Sequence, residues 1–360
     1  MIRTLRLAFA GLLLSLALTA SAAAYPWPFK PFDRQHPIRG FFGDPRTVYE
    51  NGILAGAFDG PGLFSFHQGI DISAPNGTPI YAVADGTSHY VGAATLDVVT
   101  GHDATFQFFH IVTIVGEGQQ VIARKTVLGY VQPPFGHVHL SEIDSGHVVN
   151  PLQPGHLAPY RDTTKPVIRE IVIRNENGDI QTPLGLCGRL ELDVDAYDSP
   201  PILVPGKFMD LPVAPALVRW TVTRLAGTAV VPWHTVADFR QMLPSNHSFW
   251  DVYAHGTYQN APRFGREQYT SMPGRFLFVL DRGYDTTSIA NGVYIATVLV
   301  ADGHGHKAVA TQRLSVLNAP GSECPGSLPA PVGAPPPGDQ EPPPPATPEP
   351  SPSWEAYARR

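Results

Sequence analysis

The sequence predicts an all-β chain, with two antiparallel β domains in tandem and a proline-rich tail. Three observations carry this. The 360 residues include 34 glycines and 38 prolines, which favours turns and short strands over long helices. Apolar and β-branched segments recur at residues 78–84, 106–115 and 121–131, each bounded by Gly, Asp, Asn or Pro. No segment of the first β region holds helical periodicity for three turns.

The elements follow in chain order. Arg3 and Arg6 precede an apolar run over residues 7–18, then Thr19-Ala20-Ser21-Ala22-Ala23-Ala24. Charged, apolar and small-residue regions in that order predict a cleaved signal peptide over residues 1–24. The run is short for a bilayer span. The mature chain is therefore expected to start at Tyr25, to be exported (periplasmic or extracellular) and to have no transmembrane segment after cleavage. A first β domain is expected over residues 36–160, where Gly116-Glu117-Gly118-Gln119 and Gly129-Tyr130-Val131 mark tight reversals. Arg161-Asp162-Thr163-Thr164-Lys165-Pro166 reads as a linker. A second β domain is expected over residues 166–320. Its last hairpin has a strand after Asn291-Gly292, a turn at Gly303-His304-Gly305 and a partner strand over residues 307–316, which resembles the closing strands of an immunoglobulin-like β-sandwich. Residues 235–274 are polar and aromatic without clean alternation and read as a long insertion. Residues 325–360, with Pro342-Pro343-Pro344-Pro345, read as a disordered or extended spacer.

Cys187 and Cys324 are the only cysteines. In an exported protein they are a candidate pair, and a loop of that length would contribute roughly 4–5 kcal/mol in the chain-entropy model. Two unpaired buried thiols are the alternative. The formal net charge of −6 argues against nucleic acid as a partner, because that needs a basic stripe.

The chemistry lies in the histidines. With 14 histidines in the chain, about half a His-x-His pair is expected by chance, so such a pair is weak by itself. His304-Gly305-His306 sits in a hairpin turn with no carboxylate at strand spacing and reads as a decoy. His137-Val138-His139 differs in context: positions i and i+2 of a strand point to one face. His67 and Asp71 are four apart, again one face of a strand or of a bulged one. His67, Asp71 and His139 would close three sides of a tetrahedral Zn2+ site and leave the fourth for water.

These residues carry a resemblance. His67-x-Gly69-Ile70-Asp71-Ile72, followed by Ala74-Pro75-x-Gly77-Thr78-Pro79-Ile80, resembles the first signature of the lysostaphin-type zinc metallopeptidases. Phe108-Phe109-His110-Ile111 with Gly116-x-Gly118-Gln119-x-Val121 resembles the middle one. Phe135-Gly136-His137-Val138-His139-Leu140-Ser141-Glu142-Ile143 resembles the last, and Asn150-Pro151 follows as in that family. The likeness covers residues 40–157.

It implies an antiparallel β-sheet metallopeptidase domain, with Zn2+ on His67, Asp71 and His139 and with His110 and His137 as catalytic, non-ligand histidines. Glu142 would have a supporting role. The implied activity is hydrolysis of peptide bonds in bacterial cell-wall peptidoglycan, with peptidoglycan peptides as partners. A further protein partner would dock through the C-terminal domain. Two departures, the missing Asp-His-Gly hairpin between residues 86 and 106 and the short Pro133-Pro134 loop, bear on the groove walls. The alternative function is a catalytically silent scaffold or activator of another wall hydrolase. Such relatives usually lose zinc ligands, whereas this chain keeps the set. A lipoyl-like binding module would leave the histidines unexplained.

Overall fold

The computed structural model describes residues 24–49, 63–92, 94–101, 103–261, 263–264, 267–268 and 271–318. The expected signal peptide, Cys324 and the proline-rich tail lie outside the described residues. Among those described, no helix is long and apolar enough to cross a membrane.

The first region contains β1 (Ile38–Gly40), β2 (Pro45–Tyr49), β3 (Leu63–Phe66), β4 (Ile70–Ser73), β5 (Pro79–Tyr81), β6 (Gly86–Gly92), β7 (Thr95–Val99), β8 (Ala104–Phe109), β9 (Ile111–Thr113), β10 (Gln120–Val121), β11 (Val127–Val131), β12 (His137–Asp144) and β13 (His147–Val149). One sheet runs β1-β4-β12-β8-β7-β6-β10, with β13 on β12, and a small sheet runs β5-β11-β9. Between them lies an apolar core. Ile70 and Ile72 of β4, Phe106 and Phe108 of β8, and Val138 and Leu140 of β12 point into it, against Ile80, Leu128 and Val131 of the small sheet.

Strand period then fixes the other face of the large sheet. Alternate residues of β4, β12 and β8 turn away from the core, and the register sets Asp71 opposite His139 and His139 opposite Phe109. The residues between them are the apolar ones that anchor each strand. Burial of Val138 and Leu140, both fully inaccessible, stabilises by about 1.5–3 kcal/mol each and holds His137 and His139 on the opposite face. A one-residue slip would exchange the two sets.

The second region contains β14 (Val167–Asn175), β15 (Arg189–Tyr197), β16 (Leu217–Arg224), β17 (Ala229–Asp238), α1 (Phe249–Val252), β18 (Arg263–Phe264), β19 (Glu267–Gln268), β20 (Leu277–Asp285), β21 (Gly292–Ala301) and β22 (Lys307–Val316). A β14-β15-β20 sheet and a β17-β16-β21-β22 sheet share a core that includes Leu192, Val194, Trp220 and Val298. The chain is thus all-β and mainly antiparallel, as expected. The hairpin read from residues 291–316 is β21–β22, paired from Gly292↔Val316 to Ala301↔Lys307.

Three expectations need correction. The first domain does not begin at residue 36: Tyr25, Trp27 and Phe29 are buried in its core, and Trp27 Nε1 donates to the Pro159 carbonyl at 2.8 Å. Such an anchor has no local periodicity to betray it. The segment 161–166 has no regular structure, but it is not a free linker. Asp162 is buried, and its Oδ1 accepts from Thr164 N at 2.9 Å and Oγ1 at 2.7 Å. The segment 235–274 is no loose insertion either. Its first residues complete β17, and β18 pairs in parallel with β2 of the first region. Phe239, Phe249 and Tyr253 join Phe42, Phe64 and Phe66 in one core cluster. Cys187 is disulfide-bonded.

Candidate metal centre and its groove

His67 Nε2, Asp71 Oδ1 and His139 Nδ1 form a tight triangle with edges of 3.1, 2.8 and 3.1 Å. These are the three residues picked out by the sequence, but His67 and Asp71 are not brought together by strand spacing. His67 precedes β4 rather than lying in it, so the pair does not share a strand face. Four extended residues would separate them by about 13 Å; instead the chain doubles back through Gly69. A Cβ there would come within 2.4 Å of the Leu140 carbonyl and 2.7 Å of His139 Nε2, so only glycine lets this loop lie against β12.

The chemistry of the donor set fits a zinc ion. His67 Nδ1 donates to the Phe41 carbonyl at 2.8 Å, which leaves Nε2 as a lone pair facing the triangle. His139 Nε2 lies 2.8 Å from Ser141 Oγ, which leaves Nδ1 facing it. Orientation of each ring through its remote nitrogen is the usual support of a metal-ligating imidazole. Zinc bonds of about 2.0–2.1 Å place tetrahedral donors about 3.3–3.4 Å apart, so the triangle would accept an ion after a shift of a few tenths of an ångström. Burial, reinforced by the Arg46 charge, pushes the His67 imidazole down to about 3. It is therefore neutral and available as a donor. Burial alone would raise the Asp71 carboxyl, but His67, His137 and Arg46 together hold it well below the carboxylate range.

Two further histidines face this triangle. His137 Nε2 is 3.4 Å from Asp71 Oδ1. At its other nitrogen, Arg39 Nη2 lies at 2.7 Å and the Phe135 carbonyl at 3.0 Å. Arginine only donates and a carbonyl only accepts, so these two contacts exclude each other in one protonation state. The shorter one requires Nδ1 to accept, and the neutral ring then carries its proton on Nε2, toward the triangle. His110 follows β8 with φ of 63°, a left-handed backbone that costs roughly 1–2 kcal/mol for a side-chain-bearing residue. Its ring stacks on Phe135 at 4.2 Å and lies 4.6 Å from His137. Burial and the neighbouring His137 push it down to about 3.

Sequence reasoning missed two arginines. Arg46 Nη2 donates to Asp71 Oδ2 at 2.7 Å, and Arg39 reaches His137 as above. Neither has a spacing signal: Arg39 acts from β1 of the same sheet and Arg46 from β2, which belongs to another sheet. Glu142 lies away from the triangle: it accepts from Tyr25 Oη at 2.7 Å and contacts His156 Nδ1 at 2.8 Å. The decoy reading of His306 needs amendment, because its Nδ1 is 2.5 Å from Asp302 Oδ2, with Asp162 near. Asp302 Oδ1 meanwhile accepts from the backbone N–H groups of His304 and His306, so the contacts close an Asx-type turn.

The site opens into a groove of about 790 Å³ between the two β regions. His110, His137 and His139 line its floor. Lys207, Phe208, Asn246, Gln259 and Asn260 of the second region form a wall. That wall is tied down: Asn246 Oδ1 accepts from Phe66 N at 3.1 Å and Gln259 Oε1 from Thr47 N at 2.7 Å.

No family model matches the chain, and no curated protein matches it. Solved structures are similar over about a third of it. The catalytic domain of the prophage-encoded M23 protein EnpA from Enterococcus faecalis is 24% identical, with 31% of this chain and 91% of that chain covered, at a TM-score of 0.23. A zinc-containing peptidase from Vibrio cholerae is 22% identical, with coverages of 36% and 39% and a TM-score of 0.28. The SpoIIQ–SpoIIIAH pore-forming complex is 16% identical, with coverages of 36% and 90% and a TM-score of 0.29.

Proposed function

We propose that this chain is an exported zinc endopeptidase of the lysostaphin type that hydrolyses peptide bonds of bacterial cell-wall peptidoglycan. The observation that carries the reading is the convergence of His67 Nε2, Asp71 Oδ1 and His139 Nδ1, each edge 3.1 Å or less. They lie at the floor of an open groove. Zinc held there would supply a Lewis acid that polarises the scissile carbonyl and acidifies water.

The remaining steps belong to the protein. His137, protonated on Nε2 by virtue of the Arg39 contact, donates a hydrogen bond to the carbonyl oxygen as negative charge develops on it. His110, neutral and with no side-chain hydrogen bond among the described residues, takes the proton of the attacking water and passes it to the leaving amine. Phe135 holds the His110 ring by stacking. The groove wall from the second region positions the peptide chain, and the seven strands β14–β17 and β20–β22 act as an immunoglobulin-like module that carries this wall.

The test is digestion of purified sacculi with mass spectrometry of the released muropeptides. Zinc-loaded wild-type protein is expected to release peptide fragments, and a chelator to stop it. His139→Ala should lose both zinc and activity, whereas His137→Ala should keep zinc and lose activity. Zinc-loaded protein that leaves sacculi intact would contradict the reading and favour a scaffold for another hydrolase.

A further inference from the structure

The groove carries a cation of which the proposed chemistry uses a single N–H, the one that meets His137 Nδ1. Arg39 lines it and has no carboxylate within ion-pair distance among the described residues; the nearby carboxylate, Asp71, is instead paired with Arg46 at 2.7 Å. One of its five N–H donors goes to His137 Nδ1. Its guanidinium lies over the Phe208 ring at 4.1 Å, which fixes the plane of the group from the second-region wall. A planar guanidinium held in one orientation with free donors is suited to a carboxylate rather than to a compact point charge.

The surroundings point the same way. Among the described residues the groove is lined by Arg39, Arg46 and Lys207 and by two carboxylates, Asp44 and Asp71. Asp44 is buried and engaged, since it accepts from Phe41 N at 2.8 Å and Ala214 N at 2.6 Å. In a chain of net charge −6 the described lining carries more cationic than carboxylate side chains, and a positive cleft concentrates anionic substrates. The path from Arg39 to the metal triangle runs through one imidazole ring, which is about two extended residues of peptide.

We infer that Arg39 is a subsite for a free carboxylate of the substrate peptide, within two residues of the scissile bond. Resting on the peptidase reading above, this selects between wall peptides. Stem peptides that bear free side-chain or terminal carboxylates are substrates, and neutral oligoglycine bridges are poor ones.

The test uses cross-linked muropeptide dimers isolated from sacculi, in native form and after carbodiimide conversion of their carboxylates to carboxamides. For the full zinc-loaded protein, kcat/KM is expected to favour the free-acid dimer by about 10–100-fold, the range of a charge-assisted hydrogen-bonded pair. In Arg39→Gln, both substrates slow down because His137 loses its partner, and the ratio falls to about one. Arg39→Lys keeps part of the ratio. A wild-type ratio near one, or a ratio that survives in Arg39→Gln, overturns the subsite. Calorimetric binding of both dimers to the zinc-free protein separates this from failure of the peptidase reading. If neither dimer is cleaved, preferential binding of the acid form by wild type and not by Arg39→Gln still supports the subsite, and equal binding refutes it.

Discussion

Arg46 grips the outer oxygen of Asp71: Nη2 donates to Oδ2 at 2.7 Å, while Oδ1 faces His67 and His139 at 3.1 Å from each. The carboxylate is thereby held with one oxygen for the protein and the other for an ion. Gly40 leaves room for this, since a Cβ there would sit 2.7 Å from Asp71 Oδ2 and 2.9 Å from Arg46 Nη2.

Removal of this outer partner should loosen the metal. Arg46→Met is expected to weaken zinc binding by about 10–100-fold, the usual effect of losing a group that orients a ligand. Competition with a chromophoric chelator measures it. Unchanged zinc affinity would show that Asp71 is oriented by the sheet alone.

Gly69→Ala should be severe for its size. The added methyl meets the backbone carbonyl of Leu140 and the His139 ring at once, and neither retreats without disturbing β12. A loss of roughly 1–3 kcal/mol in stability, typical of overpacking, is expected together with a lower zinc content. Denaturant unfolding and metal analysis report the two effects; a variant with wild-type values in both would mean that the loop has room to relax.

Phe66 joins the two β regions. Its ring lies 5.5, 5.4 and 5.8 Å from those of Phe239, Phe249 and Tyr253, and it is 1% exposed. Phe66→Ala is expected to cost about 3–5 kcal/mol in chemical denaturation. A cost below 1 kcal/mol would argue that the shared core does not couple the regions.

Asp198 is one of three buried carboxyls, with Asp44 and Asp193, that are pushed up to about 7 and so contribute a pH dependence to stability. Burial, with repulsion from Asp162 and Asp302, pushes its carboxyl up to about 7. In the unfolded chain it titrates near 3.9. Between about pH 4 and 7 the unfolded chain therefore releases a proton that the folded chain keeps, and stability falls as pH rises through that window. The contribution is fully present below pH 4. Asp198→Asn should flatten this decline in thermal unfolding of the zinc-free protein between pH 5 and 8. Identical slopes for the two proteins would contradict the assignment.

The legible part of this molecule was the part written in local pattern. Alternation around Val138 and Leu140 placed His137 and His139 on one face, and the Asn291-Gly292 start marked the last hairpin. What escaped depends on long-range pairing. Arg39 and Arg46 meet His137 and Asp71 across neighbouring chain segments, so no spacing reveals them. The aromatic segment 239–253 lacks alternation because it packs irregularly against Phe64 and Phe66 rather than lying in a sheet. His67 and Asp71 do come together, but not as neighbours on one strand face: the loop that brings them together depends on Gly69 fitting against β12.

The most direct measurement is zinc-edge X-ray absorption on the purified protein, with metal quantified per chain. One zinc per chain is expected, with two imidazole nitrogens and the rest oxygen in its shell. At least one of those oxygens should exchange with solvent or an added inhibitor. A protein that takes up no zinc at neutral pH, or a shell that stays unchanged when His67 and His139 are both replaced by Ala, would contradict the account.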